Sequence, residues 1–422
     1  MSLNNRFIRS ATWSGMAGEN GIVTPKLLKL MGDLADGGVG LIITGHAYVH
    51  ANGIHSAGQL GIDRDLLIPG LKQMTRLVHE KKGRIVAQLG YGGFYLSQSR
   101  VANMSTMDLR GVVDAFALAA ERARHAGFDG VQILAAHGFL LSQFLCPRYN
   151  PRRDGYGGSL ENRARMLLEV LSSVRKTVGS GFPVLVKFNA SDGVENGMTL
   201  QESLKVAAML QDAGIDGIEL SGGLLNAANL MSGSYGDEEN KVYFEDEARI
   251  YKRAIRVPLI LVGGIRSYAK AENLVSSGTA DYIAMCRPLI CEPDLVARWK
   301  SGNKQTAACI SCNNCVQEAI RGTGIACAPP LEIKTKQTFY PQKTVRLPAG
   351  PPFPPGTGYI VSTGLEQWGA TYLPVTKIQM HAKGKTLGRG LSIPQDRRDR
   401  EKIFQDMEML ISGDVEKDNT NR

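Results

Sequence analysis

Short runs dominated by Val, Ile and Leu recur from Phe7 to Met285, and between them apolar residues return at three- and four-residue intervals. An unbroken apolar run is what a strand buried on both faces requires. The intervening period is that of a helix with one apolar face. The runs are Phe7–Thr12, Gly40–Thr44, Ile85–Leu89, Val131–Ala135, Val184–Asn189, Gly217–Leu220, Leu259–Val262 and Tyr282–Met285. Helices are predicted between them, for example over Asp108–His125, Leu160–Thr177 and Leu200–Ala213. The last is announced by Thr199-Leu-Gln-Glu202, a capping box in which hydroxyl and carboxylate satisfy exposed backbone donors. Strands and helices in strict alternation predict a parallel α/β fold, and eight such units within 1–300 predict a closed (β/α)8 TIM barrel. An open doubly wound sheet would carry a glycine-rich turn after the first strand, where this chain has Ser10-Ala-Thr-Trp-Ser14.

A barrel of this kind gathers chemistry at the C-terminal ends of its strands. Thr12, Gln88, His137, Lys187 and Arg287 fall there. Each alone reads equally well as an ordinary strand-end polar residue; together on one rim they mark a candidate ligand site.

Past the barrel the pattern changes. Segment 301–330 holds Cys309-x2-Cys312-x2-Cys315-x11-Cys327, four of the chain's seven cysteines. In a reducing compartment such spacing points to a metal site before disulfides. An iron–sulfur cluster, a tetrahedral zinc and four free thiols all remain open on spacing alone. Segment 331–422 is a C-terminal extension of unassigned role. Its proline run over Leu347–Gly356 predicts an extended linker, and the apolar face of Asp396–Ser412 predicts an amphipathic helix. Gly356-Thr-Gly358 lacks the third glycine of a dinucleotide turn, so no second nucleotide domain is expected.

With 422 residues, 43% of them apolar, the chain has enough core for a large barrel and an appendage. The net charge of +9 is spread without a dense basic block or interleaved aromatics, which argues for an anionic small ligand over nucleic acid. No stretch reaches the roughly 18 consecutive apolar residues of a membrane span, and Met1–Ile8 shows no charged leader before an apolar core. The expectation is a cytoplasmic protein with a small-molecule substrate, without membrane or nucleic-acid partners, and open to homo-oligomerisation.

The most specific stretch is Val131-Gln-Ile-Leu-Ala-Ala-His-Gly-Phe-Leu-Leu-Ser-Gln-Phe-Leu-Cys-Pro-Arg-Tyr-Asn150, followed by Arg152, Asp154, Tyr156-Gly-Gly-Ser159 and Glu161-Asn-Arg163. It strongly resembles the fourth-strand region of Old Yellow Enzyme-like NADH:flavin oxidoreductases. The branch with dienoyl-CoA reductase and trimethylamine dehydrogenase is nearest, and the resemblance extends over Asn5–Cys327. It implies FMN on the rim, with Thr12 and Gly45 near the reactive edge, Gln88 on the pyrimidine ring and Lys187 as a cation beside the edge that gains negative charge on reduction. It further implies a phosphate grip from Gly263-Gly-Ile-Arg-Ser267 and Cys286-Arg-Pro288, through Gly264, Arg266, Cys286 and Arg287. The same relatives imply a [4Fe–4S] cluster on Cys309, Cys312, Cys315 and Cys327, and NAD(P)H as the hydride donor to an electron-poor small molecule.

The chain departs from the family at the chemistry. Leu134 stands where ene-reductases have a histidine that polarises the substrate carbonyl, and Phe139 where they have a proton-donating tyrosine. His137 is kept, and Tyr91 could bring a hydroxyl from another direction, so these two are the catalytic candidates. The departures leave two other readings in play: an amine-type dehydrogenase sending electrons from FMN to the cluster, and a flavin- or cluster-binding protein with lost or altered catalysis.

Overall fold

The computed structural model describes residues 1–92, 100–224 and 241–328, together with the backbone of four strands between 345 and 389. The chain divides into two compact units, Met1–Ile333 and Lys334–Arg422. The predicted helix at 396–412 and the proline-rich residues 348–356 lie outside the described residues.

In the first unit the strands are β1 (Phe7–Arg9), β2 (Leu41–Ile43), β3 (Ala47–Tyr48), β4 (Ile85–Gly90), β5 (Val131–Ala135), β6 (Val184–Asn189), β7 (Gly217–Ser221), β8 (Leu259–Val262) and β9 (Tyr282–Met285). All pair in parallel, and a β2–β4 pairing closes the ring, so that eight strands form the barrel and β3 adds a short rung on β4. The predicted (β/α)8 barrel is therefore the fold, and the expected strands appear within a few residues of their limits.

Helices start where their caps dictate. Thr24 accepts from the Leu27 N–H at the head of Pro25–Asp36, and Ser105 and Thr199 form full capping boxes with Asp108 and Glu202. The helices over Thr106–His125, Leu160–Val178 and Leu200–Asp212 match the predicted periodicity.

Two buried layers follow from the strand period of two. Val131, Ile133 and Ala135 face the helices and join the large outer core. Ile8, Leu41, Ile43, Val86, Leu185 and Ile260 belong to a smaller separate cluster that fills the lumen. Among the described residues no helix is long and apolar enough to cross a membrane.

The second unit contains an antiparallel sheet of β10 (Val345–Leu347), β11 (Thr357–Trp368), β12 (Thr371–Ala382) and β13 (Lys385–Arg389). Thr357 and Gly358 pair with Ala382 and His381 in this sheet.

Candidate active site

Inward-facing residues two positions further along the strands turn the lumen from apolar to polar. Gln88 lies two beyond Val86 and Lys187 two beyond Leu185, so each stands on the same face one layer nearer the C-terminal rim. Parallel register puts Gln88 opposite Gln132 and Lys187 opposite Glu219. The side chains then join across the barrel. Gln88 Nε2 donates to Gln132 Oε1 at 2.7 Å, and Gln132 Nε2 to Glu219 Oε2 at 2.8 Å. The other carboxylate oxygen accepts from Lys187 Nζ at 3.0 Å and from Ser10 Oγ at 2.5 Å, while Lys187 also donates to Ser10 at 2.8 Å. Burial alone would push the Glu219 carboxyl up, but the Lys187 ammonium and the hydrogen bonds from Ser10 and Gln132 outweigh it and hold it below the usual carboxylate range. Lys187 is thus a buried cation whose charge is offset.

Beside this ladder, buried Arg9 donates through Nη1 to Ser10 O at 2.8 Å and to Thr12 Oγ1, while its Nε is buried without a partner. Thr12 Oγ1 lies 3.0 Å from Cys286 Sγ. Burial would raise that thiol, yet Arg9, the Thr12 hydrogen bond, Arg287 and Lys187 together leave it below the ordinary thiol value. Gly45 sits against β1, where a Cβ would lie 2.7 Å from Thr12 O, so only glycine lets the ends of β1 and β2 approach this closely. At Gly264 the φ is +76° and a Cβ would meet Lys241 O at 2.0 Å.

His137 also has positive φ, 62°. Its Nδ1 donates to Gly223 O at 3.2 Å and its Nε2 accepts from Ser221 Oγ at 3.1 Å, an arrangement that uses both ring nitrogens. Burial and then Lys187 lower its pKa to about 4, so the ring is neutral near pH 7. Tyr91 is buried, stacks on His50 at 6.2 Å, and borders a cleft of about 380 Å³ also lined by Asn52, Met104 and Met107. Leu134 and Phe139 form a small apolar cluster with Ala136.

The two loop arginines are turned toward the cysteine segment. Arg266 Nη1 donates to Cys309 O at 3.2 Å, and Arg287 donates to Asn313 Oδ1 at 2.8 Å and to Tyr243 Oη at 3.1 Å. Cys315 is buried with Ile290 and Ala319, and its thiol is raised to about 11 by burial and then by Cys286 and Cys309. Burial and a hydrogen bond with Cys327 push Cys291 to about 12. Cys327 thereby bonds Cys291 while also acting electrostatically on Cys309. Among the described residues no group of three or more His, Cys, Asp or Glu side chains is placed to hold a metal ion.

Sequence reasoning singled out Gln88 and Lys187 but not Ser10, Gln132 and Glu219, which the structure brings against them. The signal was the same one that singled out Lys187: a lone polar residue inside a buried run, Val131-Gln132-Ile133 and Ile218-Glu219-Leu220.

Known proteins resemble this chain over the barrel. The family described as "NADH:flavin oxidoreductase / NADH oxidase family" matches residues 1–103 and 96–306. An NADH oxidase of Thermoanaerobacter brockii is 32% identical over 336 residues, 74% of this chain and 51% of the relative. A 4,4'-dithiodibutanoate disulfide reductase of Rhodococcus erythropolis is 31% identical over 371 residues, covering 76% and 91%. Among solved structures, a 2-naphthoyl-CoA reductase in complex with 2-naphthoyl-CoA superposes with a TM-score of 0.72 at 26% identity, over 77% of this chain and 54% of that one. The chain thus spans about half the length of the first and third of these. The chain belongs to the NADH:flavin oxidoreductase / NADH oxidase family, that of Old Yellow Enzyme.

Proposed function

We propose that the C-terminal rim binds FMN non-covalently and that the protein passes reducing equivalents from NADH or NADPH to an electron-poor small molecule. The observation that carries this reading is the Lys187–Glu219–Ser10 cluster, whose ammonium has three N–H groups and uses two of them within the protein. The third suits the flavin edge that gains negative charge on reduction, in a lumen where water does not compete. Gln88 keeps its carbonyl oxygen and a second N–H for the pyrimidine ring after donating once to Gln132. Bound FMN supplies hydride transfer, from the nicotinamide and then to the substrate.

The residues around it divide the remaining work. Thr12 and Gly45 line the reactive edge, and the orphaned Nε of buried Arg9 is a donor that a polar group there would satisfy. We assign the phosphate to backbone N–H groups at Gly264 and Cys286 and to the guanidinium groups of Arg287 and Arg266. Tyr91 and His137 face the substrate. His137 reaches a substrate carbonyl by giving up a bond it now makes inside the protein, and it does so as a neutral ring.

We further assign Cys309, Cys312, Cys315 and Cys327 to a [4Fe–4S] cluster because their spacing resembles that of the cluster-bearing branch of the family. Zinc and free thiols are the rivals that metal analysis separates, and the assigned setting is the cytoplasm.

Anaerobic stopped-flow measurement tests the reading in two halves. NADH or NADPH should reduce the bound flavin, and an electron-poor acceptor from a panel of enones, quinones and disulfides should reoxidise it. Reduction by an amine instead of a nicotinamide would transfer the protein to the dehydrogenase reading.

A further inference from the structure

The loop after β3 brings a third histidine chemistry to the rim that the reading above does not use. His46 follows Gly45 in the turn between β2 and β3, and His55 reaches back to it so that their Nε2 atoms lie 2.5 Å apart. The rings stack at 4.6 Å and 21°. Ser56 Oγ lies 2.5 Å from His55 Nδ1. A buried glutamine fixes the pair: Gln59 Oε1 accepts from the His55 backbone N–H at 3.0 Å, and its Nε2 donates to His46 O at 3.3 Å.

The pair's position gives it a role. Both rings meet the Phe139 ring edge-on, His46 at 4.9 Å and His55 at 5.2 Å. On the same side Gly90 leaves space, since a Cβ there would stand 3.2 Å from His46 Cβ and 3.5 Å from Leu134 Cδ2. His46 is buried and Ser56 is partly exposed, so the chain runs from inside the rim toward water. Resting on the flavin-reductase reading, we propose that Ser56, His55 and His46 form a proton relay that delivers a solvent proton to the substrate, in place of the hydroxyl that Phe139 lacks.

Proton accounting supports a relay of neutral rings. Two Nε2 atoms this close hold one proton between them, so a ring that accepts through Nε2 carries its own proton on Nδ1. Burial depresses both histidines first; His55 itself and Lys187 further lower His46, and His55 falls to about 4. Neither ring then needs to store a charge. When hydride adds to the β-carbon of an activated alkene, the displaced electron pair leaves the α-carbon to take a proton from His46 Nδ1. The shared proton moves from His55 Nε2 to His46 Nε2, and His55 Nδ1 takes one from the Ser56 hydroxyl, which water restores. The sum is one hydride from the nicotinamide and one proton from water. After product leaves, water entering the emptied site returns a proton to His46 Nδ1 while Ser56 gives one back to solvent, which resets both tautomers and keeps the sum at one proton from water per turnover.

The test uses the FMN-loaded protein and His55→Phe, which keeps a flat ring against Phe139 and removes the relay. Reoxidation by cyclohexenone should fall about 100-fold, the typical worth of a placed proton donor. Reduction by NAD(P)H and reoxidation by ferricyanide, which takes electrons without protonation at carbon, should be unchanged. Independently of turnover, protein labelled with 15N-histidine should show a far-downfield proton coupled to two ring nitrogens, lost in the variant. Should His55→Phe not fold, Ser56→Ala reads the outer end and should slow cyclohexenone reduction severalfold. Equal rates with cyclohexenone in variant and parent, alongside normal flavin reduction, overturn the relay alone. A protein that takes up no flavin overturns the reading beneath it.

Discussion

Replacing Glu219 by Gln isolates the energetics of the lumen. The change keeps volume but removes the charge opposite Lys187, in a pair whose side chains are 8% and 0% exposed. It also disturbs three accepted hydrogen bonds, from Lys187, Ser10 and Gln132. With its NH2 toward Lys187 the amide meets a donor, and with its NH2 toward Gln132 it is accepted only if the Gln132 and Gln88 amides turn as well. Leaving one partner of a buried pair uncompensated costs about 3–5 kcal/mol. That is a large share of the roughly 5–15 kcal/mol that holds a domain together. Part of the loss is recoverable, because a lone buried lysine can shed its proton.

The assay is urea denaturation followed by circular dichroism at fixed FMN concentration, since a ligand of the folded state raises apparent stability. Glu219→Gln should lower stability by about 3–5 kcal/mol near pH 7, and adding Lys187→Met should restore more than half of the loss. The pH dependence has a definite sign. A carboxylate depressed on folding contributes stability that is present above its unfolded value, about 4.3, and is lost as pH falls through its folded value. The gap between parent and variant should therefore narrow in acid. A Glu219→Gln protein within about 0.5 kcal/mol of the parent, the ordinary range for a surface change, or a double variant no better than the single, refutes the buried-pair reasoning.

Two further outcomes follow from the site. Leu134→His with Phe139→Tyr should speed flavin reoxidation by cyclohexenone about tenfold or more, because a donor restored to a developing oxyanion is worth up to roughly 10² to 10³; flavin reduction by NAD(P)H should stay nearly unchanged. Anaerobically purified protein should contain four irons per chain that are lost in Cys312→Ser, and stoichiometric zinc without iron would assign the cysteines to a structural site instead.

The barrel was legible because its strands are buried on both faces, so each appears as an apolar run whatever its partners. Gln88 and Lys187 were legible as polar interruptions of such runs. Gln132 and Glu219 interrupt theirs equally, but their meaning lies in each other: β5 and β7 are separated by β6, and only closure of the ring brings those side chains together. His46 and His55 carry no periodic signal, since one lies in the turn between β2 and β3 and the other in the loop after β3. Arg266 and Arg287 were expected on phosphate, while their contacts with Cys309 and Asn313 depend on how the cysteine segment folds back, which spacing does not encode. The cysteine spacing was plain, but Cys327 is paired with Cys291, a residue the spacing leaves out. In the second unit the proline run drew attention from the alternating residues of β11 and β12 that pair as a hairpin.

A reducible FMN held on this rim would show itself in the visible spectrum of the purified protein. The purified protein should be yellow, its flavin band should bleach anaerobically on adding NADH or NADPH, and denaturation should release one FMN per chain. Protein that folds colourless and stays colourless after incubation with FMN would contradict flavin binding there.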